Sequence, residues 1–128
     1  MASQDPPVVL LVEDEPLVRM TAADGLEEAG FQVLEAANAD VALKVLEVRS
    51  DEVQVLFTDV DMPGSMDGMA LAEKVHARWP HILLLISSGY ARPHPNQIPD
   101  HGHFIPKPYR ASAVVGHICE MMRTSRGS

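Results

Sequence analysis

The stretch VVLLVEDEP at residues 8–16 decides how the rest of the chain is interpreted. Residues 8–12 form an uninterrupted apolar run rich in β-branched side chains, which is typical of a strand covered on both faces. Acidic residues follow at once, and Pro16 suits the first position of a helix because it has no N–H to leave unpaired. The stretch therefore predicts a buried strand, an acidic turn and a helix in direct succession.

The same alternation of strand and helix continues along the chain. Asn38 is a good helix cap, while Gly30 and Pro80 mark points where helices end. Apolar residues recur at helical spacing through residues 111–122, which predicts a last helix with one face on the core. Pro106 lies inside the last apolar run and indicates an edge strand, where a missing N–H does no harm. Apolar runs predict four further strands, at residues 31–36, 53–58, 82–86 and 103–106.

Strands that alternate with helices imply parallel pairing through right-handed crossovers. We therefore predict a doubly wound α/β fold, in which a five-stranded parallel sheet carries helices on both faces. One domain is expected at residues 8–123, between a polar N-terminal tail at 1–7 and a C-terminal tail at 124–128. Pro93, Pro95 and Pro99 disfavour a regular helix between the fourth and fifth strands.

Composition excludes several classes of function. The chain has 128 residues, of which 46% are apolar and 22% charged, as expected for one globular domain. Its formal net charge of -8 repels a phosphate backbone, so no direct binding to nucleic acid is expected. No apolar run approaches the roughly 20 residues of a membrane span, and no signal peptide is evident. The expected compartment is the cytoplasm, and the single Cys119 is predicted to be a small buried side chain of the last helix.

Four of the five predicted strands end in, or directly precede, side chains with site chemistry. These are Glu13 and Asp14, Asp59, Ser88, and Lys107. Because the carboxyl ends of parallel strands meet at one edge of the sheet, the side chains are expected to converge. Three carboxylates brought together repel one another unless a cation holds them. Mg²⁺ fits such a group, because it needs only one or two carboxylates with water and a phosphate, whereas Ca²⁺ needs more fixed ligands.

Each motif alone has an ordinary explanation. Acids favour helix N-termini, aspartates before a proline are common in turns, and a lone lysine is usually solvated. The chain has six histidines, and His101 and His103 are close in sequence, but no acidic or cysteine partner lies at a convincing ligand spacing. No transition-metal site is therefore predicted, and the case for a site rests on the coincidence of motifs at the strand ends.

Together these motifs resemble the signature set of the response-regulator receiver domains of two-component signalling, the CheY-like family. The motifs occur in that family's order and cover the whole chain, so the resemblance implies a flavodoxin-like sheet with the strand order 2-1-3-4-5. The residues that carry the resemblance are Glu13-Asp14, Asp59 in LFTDVDMPG with Asp67-Gly68 beyond it, Ser88-Gly89-Tyr90, and Lys107-Pro108.

The resemblance implies a phosphoacceptor and a metal site. Asp59 would take a phosphoryl group from a phosphohistidine on a histidine kinase or phosphotransfer protein. Mg²⁺ would be bound directly by Asp14, with Asp59 and the backbone carbonyl of Asp61 as further metal residues, and Glu13 would act on the metal through water or support the site. The pair begins with Glu13 where the family commonly has an aspartate, and the longer side chain is expected to alter the metal shell without removing it.

The resemblance also implies a switch. Lys107 would contact the phosphoryl oxygens as a point charge. Ser88 would donate its hydroxyl to the phosphoryl group, and Phe104 would enter the space that Ser88 vacates. Such a chain switches protein–protein contacts and is not an enzyme, apart from slow self-dephosphorylation. The family's usual fourth helix is predicted to be short or missing at residues 92–102.

Two questions stay open at this point. Asp59 and Asp61 also match the DxD motif of haloacid-dehalogenase-like Mg²⁺-dependent phosphotransferases, which is the alternative function. In that family, however, the motif follows the first core strand, and no downstream acidic pair is left here to complete its site. Within the receiver interpretation, the chain contains no DNA-binding output domain, its downstream protein partner is unknown, and it is either a stand-alone protein or part of a hybrid kinase or larger regulator.

Overall fold

The computed structural model describes residues 6–64, 66–89, 98–99 and 102–127. The prediction for residues 92–102 therefore lies for the most part outside the described residues. The described elements alternate in the order β1 (Val8–Val12), α1 (Pro16–Glu28), β2 (Gln32–Ala36), α2 (Ala39–Arg49), β3 (Val53–Asp59), α3 (Gly68–Arg78), β4 (Leu83–Ser88), β5 (His103–Pro106) and α4 (Ala111–Gly127).

The five strands form one sheet in the order β2-β1-β3-β4-β5, and every neighbouring pair is parallel. This confirms the predicted doubly wound topology. Among the described strands, β5 pairs only with β4, so Pro106 lies on an edge strand as predicted. A proline is tolerated there because it has no N–H to donate to a further strand. The central strands β1 and β3 are neighbours, which brings the ends of two acidic segments together.

Local sequence signals set the helix boundaries. Pro16 begins α1, and Gly30 follows the helix with a φ of 101°, a left-handed conformation that favours glycine. The Asn38 side chain accepts a hydrogen bond of 2.9 Å from the backbone N–H of Val41, as predicted for a helix cap. Asp67 caps α3 in the same way.

Two apolar layers cover the sheet. Alternate residues of β1 point to opposite faces, so Leu10 packs in the layer with α2 and α3 and Leu11 in the layer with α1 and α4. In α4, Val114 and Ile118 are buried as predicted, but Cys119 is exposed and the prediction of a buried thiol is wrong. Successive residues of a helix are rotated by about 100°, so the residue after inward-facing Ile118 points away from the core.

Two histidines from different elements form a pair in this structure. His103 of β5 meets His117 of α4, with the two Nδ1 atoms 2.9 Å apart and the rings nearly perpendicular. Burial lowers the pKa of His117, and the neighbouring His103 lowers it further. His101 lies outside the described residues. The helix α4 runs to Gly127, so its last turn falls within the segment predicted as a C-terminal tail.

Among the described residues, no helix is both long enough and apolar enough to cross a bilayer.

Gly68, the first residue of α3, contacts the end of β3 closely enough to test how tightly that end is held. A Cβ at this position would clash with the carbonyl oxygen of Asp59 and lie 2.8 Å from the Cα of Val60. Because both obstacles are backbone atoms, we expect Gly68→Ala to lower the free energy of unfolding by about 2 kcal/mol in urea denaturation.

Gly116→Ala is the matched control, since nothing lies within 4 Å of a Cβ built at this position in α4. It should stabilise the protein by about 0.5–1 kcal/mol through helix propensity. Equal unfolding free energies for Gly68→Ala and the wild type would contradict the close packing of α3 on β3.

Candidate functional site

The predicted site side chains come from the carboxyl ends of neighbouring parallel strands. Glu13 and Asp14 follow β1, Asp59 is the last residue of β3, Ser88 is the last residue of β4, and Lys107 follows β5. The sheet order brings these ends together at one edge. Sequence separations of up to 94 residues, from 13 to 107, are thereby closed to hydrogen-bonding distance.

Three carboxylates form the acidic part of the site. One carboxylate oxygen from each of Glu13, Asp14 and Asp59 lies within 4.8 Å of the other two. Glu13 and Asp59 are only 1% and 3% exposed, whereas Asp14 is half-buried. The oxygen donors and their spacing suit a hard divalent cation such as Mg²⁺. Within the described ranges, no other group of three acidic, histidine or cysteine side chains has this spacing.

Lys107 is the cation that the structure places among these acids. Its Nζ lies 2.9 Å from Oε1 of Glu13 and 3.0 Å from Oδ2 of Asp59. The second oxygen of Glu13 accepts the backbone N–H of Glu15 at 3.1 Å. Lys107 therefore joins two acids that come from neighbouring strands and are almost completely removed from water.

Burial and pairing act against each other on the pKa values of this group. Burial raises the pKa of both Glu13 and Asp59, and their hydrogen bonds to Lys107 offset only part of that rise. For Lys107, burial lowers the pKa, but its hydrogen bonds and charge interactions with Glu13 and Asp59 outweigh burial and hold the pKa above its usual range. Lys107 is therefore charged at neutral pH.

The Asp61 side chain makes a contact that sequence reasoning did not find. The prediction used only its backbone carbonyl, but Oδ2 of Asp61 accepts the Ser88 hydroxyl at 2.6 Å. The backbone N–H of Asp61 also donates to Oδ1 of Asp59 at 3.3 Å. Adjacency of β3 and β4 brings residues that follow one strand against the end of the other, and only the sheet order shows this.

Phe104 lies apart from the charged group. In the sheet register it pairs with Ile86, two residues before Ser88, and its partly buried ring packs against the core layer of α2 and α3. It is thus on the strand next to Ser88 and on the same face as Ile86.

Two further residues support the site and were missed. Arg19 of α1 donates from Nη1 to the carbonyl oxygen of Glu13 at 2.8 Å and from Nε to Glu35 of β2 at 3.2 Å, which fixes the acidic turn. Tyr109 packs its ring against Phe57 at 5.4 Å between centroids, and burial raises the pKa of Tyr109 to about 12. The sequence contained one indication for Arg19: it follows Glu15 by four residues, which is one turn of α1, so its side chain can reach the acidic segment at 13–15.

A cavity of about 860 Å³ opens beside the acids. Charged residues of the site line it together with apolar residues from α1 and the β5–α4 connection. The apolar residues include Leu17, Val18, Pro108 and Tyr109. A reacting group can therefore reach Asp59 from solvent although the carboxylate itself is buried.

The family model described as the response regulator receiver domain matches residues 9–118. This chain belongs to the response regulator receiver domain family. It is a receiver domain of two-component systems. Domains of this family are signalling phosphoacceptors and are broadly non-enzymatic. They bind Mg²⁺ at an acidic cluster, and this chain has such a cluster. The match over most of the chain replaces the dehalogenase-like alternative.

Individual relatives agree with this assignment. The chain is 36% identical over 117 residues to the sensor kinase CckA of Brucella abortus. The match covers 89% of this chain but only 12% of the length of that kinase. A crystal structure of the receiver domain from the hybrid histidine kinase CckA is 32% identical, with a TM-score of 0.77 over 88% of this chain and 96% of that one.

A CheY-like response regulator receiver domain protein from Methanospirillum hungatei JF-1 shows the shared fold. Its crystal structure is 24% identical, with a TM-score of 0.84, and the match covers 95% of this chain and 98% of that one.

Replacing Lys107 tests how much the buried acids depend on its charge. In Lys107→Met the Glu13 and Asp59 carboxylates lose their cation, so their pKa values rise further above the ordinary carboxyl value of about 4. The folded variant then binds more protons than the unfolded chain, and its stability falls as pH rises. In Mg²⁺-free buffer we expect a loss of about 2 kcal/mol at pH 7.5 that shrinks toward pH 5, measured by urea denaturation.

Lys74→Met, at an exposed position of α3, is the control and should show no such pH dependence. A deficit of the same size at every pH would mean that Lys107 stabilises the fold by packing and not by its charge.

Proposed function

We propose that this receiver domain is switched by phosphorylation of Asp59. One observation carries the proposal: the Asp59 carboxylate lies at 3.0 Å from the Lys107 ammonium and within 4.8 Å of the Glu13 and Asp14 carboxylates, beside a cavity open to solvent. A nucleophile between a cation and a metal-type donor set is the arrangement that phosphoryl transfer needs, because such transfer depends on positioning and charge neutralisation.

Asp59 acts as the nucleophile. One carboxylate oxygen forms the new bond to phosphorus, the P–N bond of a phosphohistidine breaks, and its electron pair returns to the imidazole ring of the partner. The Asp61 backbone N–H at 3.3 Å and Lys107 at 3.0 Å hold the two oxygens of Asp59 in place. These two contacts orient the Asp59 carboxylate before the phosphoryl donor arrives.

Asp14, Asp59 and the backbone carbonyl of Asp61 would hold Mg²⁺ directly. Glu13 acts through water or supports the site, where its two oxygens accept hydrogen bonds from Lys107 and from the Glu15 N–H. When bound, Mg²⁺ neutralises charge on the transferring phosphoryl oxygens.

Lys107 and Ser88 contact the oxygens of the phosphoryl group once it is attached to Asp59. The ammonium is charged at neutral pH and sits on a flexible stem, so it moves from the carboxylates to the phosphoryl oxygens as a point charge. Ser88 donates its hydroxyl, and Phe104 on the adjacent strand turns into the space this leaves. Phe104 has no hydroxyl, so it acts by packing alone.

The phosphoryl donor is a histidine kinase or a phosphotransfer protein, and the output is a protein contact with a partner that is not identified. The domain spans residues 8–123, acts in the cytoplasm and hydrolyses its own aspartyl phosphate slowly. The relationship to a receiver within a sensor kinase supports a place in a phosphorelay. A setting within a hybrid kinase or larger regulator and a setting as a separate protein both fit these properties.

Acetyl phosphate tests the acceptor without a kinase. After incubation with acetyl phosphate and Mg²⁺, intact mass should show one added phosphoryl group on the wild type and none on Asp59→Asn, which keeps the shape but loses the nucleophile. Asp51→Asn, which lies before the amino-terminal end of β3 and so at the other end of that strand from Asp59, should still be modified. An adduct that persists on Asp59→Asn would show that another residue is the acceptor.

Thermal denaturation tests the metal ligands. An ion that binds only the folded state stabilises it by about 1.4 kcal/mol at ten times its Kd, so the Tm should rise with Mg²⁺ concentration. Asp14→Asn removes a ligand and one repelling charge, and should lose most of the Mg²⁺-dependent rise. Asp51→Asn should keep it. An undiminished Tm shift in Asp14→Asn would remove Asp14 from the metal site.

A further inference from the structure

The Ser88 hydroxyl already has an anionic acceptor in this structure. Its Oγ lies 2.6 Å from Oδ2 of Asp61, which is the length of a charge-assisted O–H···O⁻ hydrogen bond. Ser88 is only 2% exposed, and a charge-assisted hydrogen bond is stronger where water is excluded. The hydroxyl carries a single proton, so it cannot donate to Asp61 and to a phosphoryl group on Asp59 at once.

Asp61 is held so that this contact is maintained. Its N–H donates to Oδ1 of Asp59, and the preceding residue, Val60, donates its N–H to the carbonyl of Ser87 at 2.8 Å. The carbonyl of Val60 accepts the N–H groups of Met62 and Gly68, so the loop is fixed on both sides of Asp61. The Asp61 carboxylate is thereby fixed over the end of β4.

We propose that the Asp61 carboxylate is a brake on the switch, which holds the Ser88 hydroxyl in the unphosphorylated state and must release it before the phosphorylated state forms. The proposal rests on the proposed function, because it assumes a phosphoryl group on Asp59. It gives the Asp61 side chain a role separate from that of its backbone carbonyl. The hydrogen bond favours the resting arrangement, so removing it shifts the equilibrium toward the switched state.

Asp61 opposes the phosphorylated state in a second, simpler way. Its negative charge repels the added phosphoryl oxygens whether or not Ser88 is present. The two effects predict different couplings. Repulsion acts in any background, whereas the brake exists only when residue 88 has a hydroxyl. A double-mutant cycle separates them.

The experiment measures binding of beryllofluoride, an analogue of the phosphoryl group, to the full chain in saturating Mg²⁺, followed by amide NMR titration. Four proteins form the cycle: wild type, Asp61→Ala, Ser88→Ala and the double variant. Alanine at 61 keeps the backbone carbonyl but can neither accept from Ser88 nor donate to the anion. We expect Asp61→Ala to tighten binding by about tenfold when Ser88 is present, the size of one charge-assisted hydrogen bond.

In the Ser88→Ala background the same substitution should tighten binding by about threefold or less, which is the part due to repulsion. The proposal is overturned if Asp61→Ala changes affinity by the same factor in both backgrounds, or if it weakens binding in the presence of Ser88. Asp51→Ala, which also removes one negative charge but lies at the other end of β3 from Asp59, should leave the affinity unchanged.

The outcomes also distinguish this proposal from the one on which it rests. If beryllofluoride fails to bind the wild type, or still binds Asp59→Asn, the assignment of Asp59 as acceptor is wrong. If it binds the wild type through Asp59 but the cycle shows no coupling between positions 61 and 88, only the brake is wrong.

Discussion

The ion pairs between Lys107 and two buried carboxylates are the interaction on which the functional edge of this molecule depends. Glu13 and Asp59 are removed from water on adjacent strands, where each would repel the other. A buried carboxylate without a partner costs several kcal/mol, so neither could remain ionised there alone. Lys107 bonds to both, and its own pKa rises because of them. Buried pairs of this kind add little net stability, so their presence points to function.

The parallel sheet makes this arrangement possible. In the order β2-β1-β3-β4-β5, acids from β1 and β3 lie at the centre of the edge, and Ser88 and Lys107 approach from one side. The backbone N–H of Lys107 donates to the carbonyl of Ser88 at 3.0 Å, so the lysine is anchored to the strand that carries Ser88. Under the proposed function, a change in charge at Asp59 would therefore reach two strands through short, direct contacts.

The main polar side chains of the site already have hydrogen-bond partners in this structure. Lys107, Ser88 and the Asp61 carboxylate are all engaged with one another or with the acids. In the proposed switch, a phosphoryl group must exchange the hydrogen bond of Ser88 and cannot simply add a second one, because the hydroxyl carries one proton. The free energy of switching is then a difference between similar contacts, which a metal ion or a partner protein can bias with modest binding energy.

The sequence by itself determined the fold class and the identity of the clustered residues, while its resemblance to the receiver family implied the strand order. Hydrophobic periodicity and the residues that begin or end each element carry that information locally. Examples are the β-branched run before Glu13, the proline at the start of α1, and the strand ends marked by Asp59 and Lys107. Only the tertiary structure decided the contacts that join distant segments, namely Ser88 with Asp61, Arg19 with the Glu13 carbonyl and His103 with His117. It also showed that Cys119 is exposed. Such contacts depend on sheet register and helix rotation, which the interactions of the whole core fix and no local pattern records.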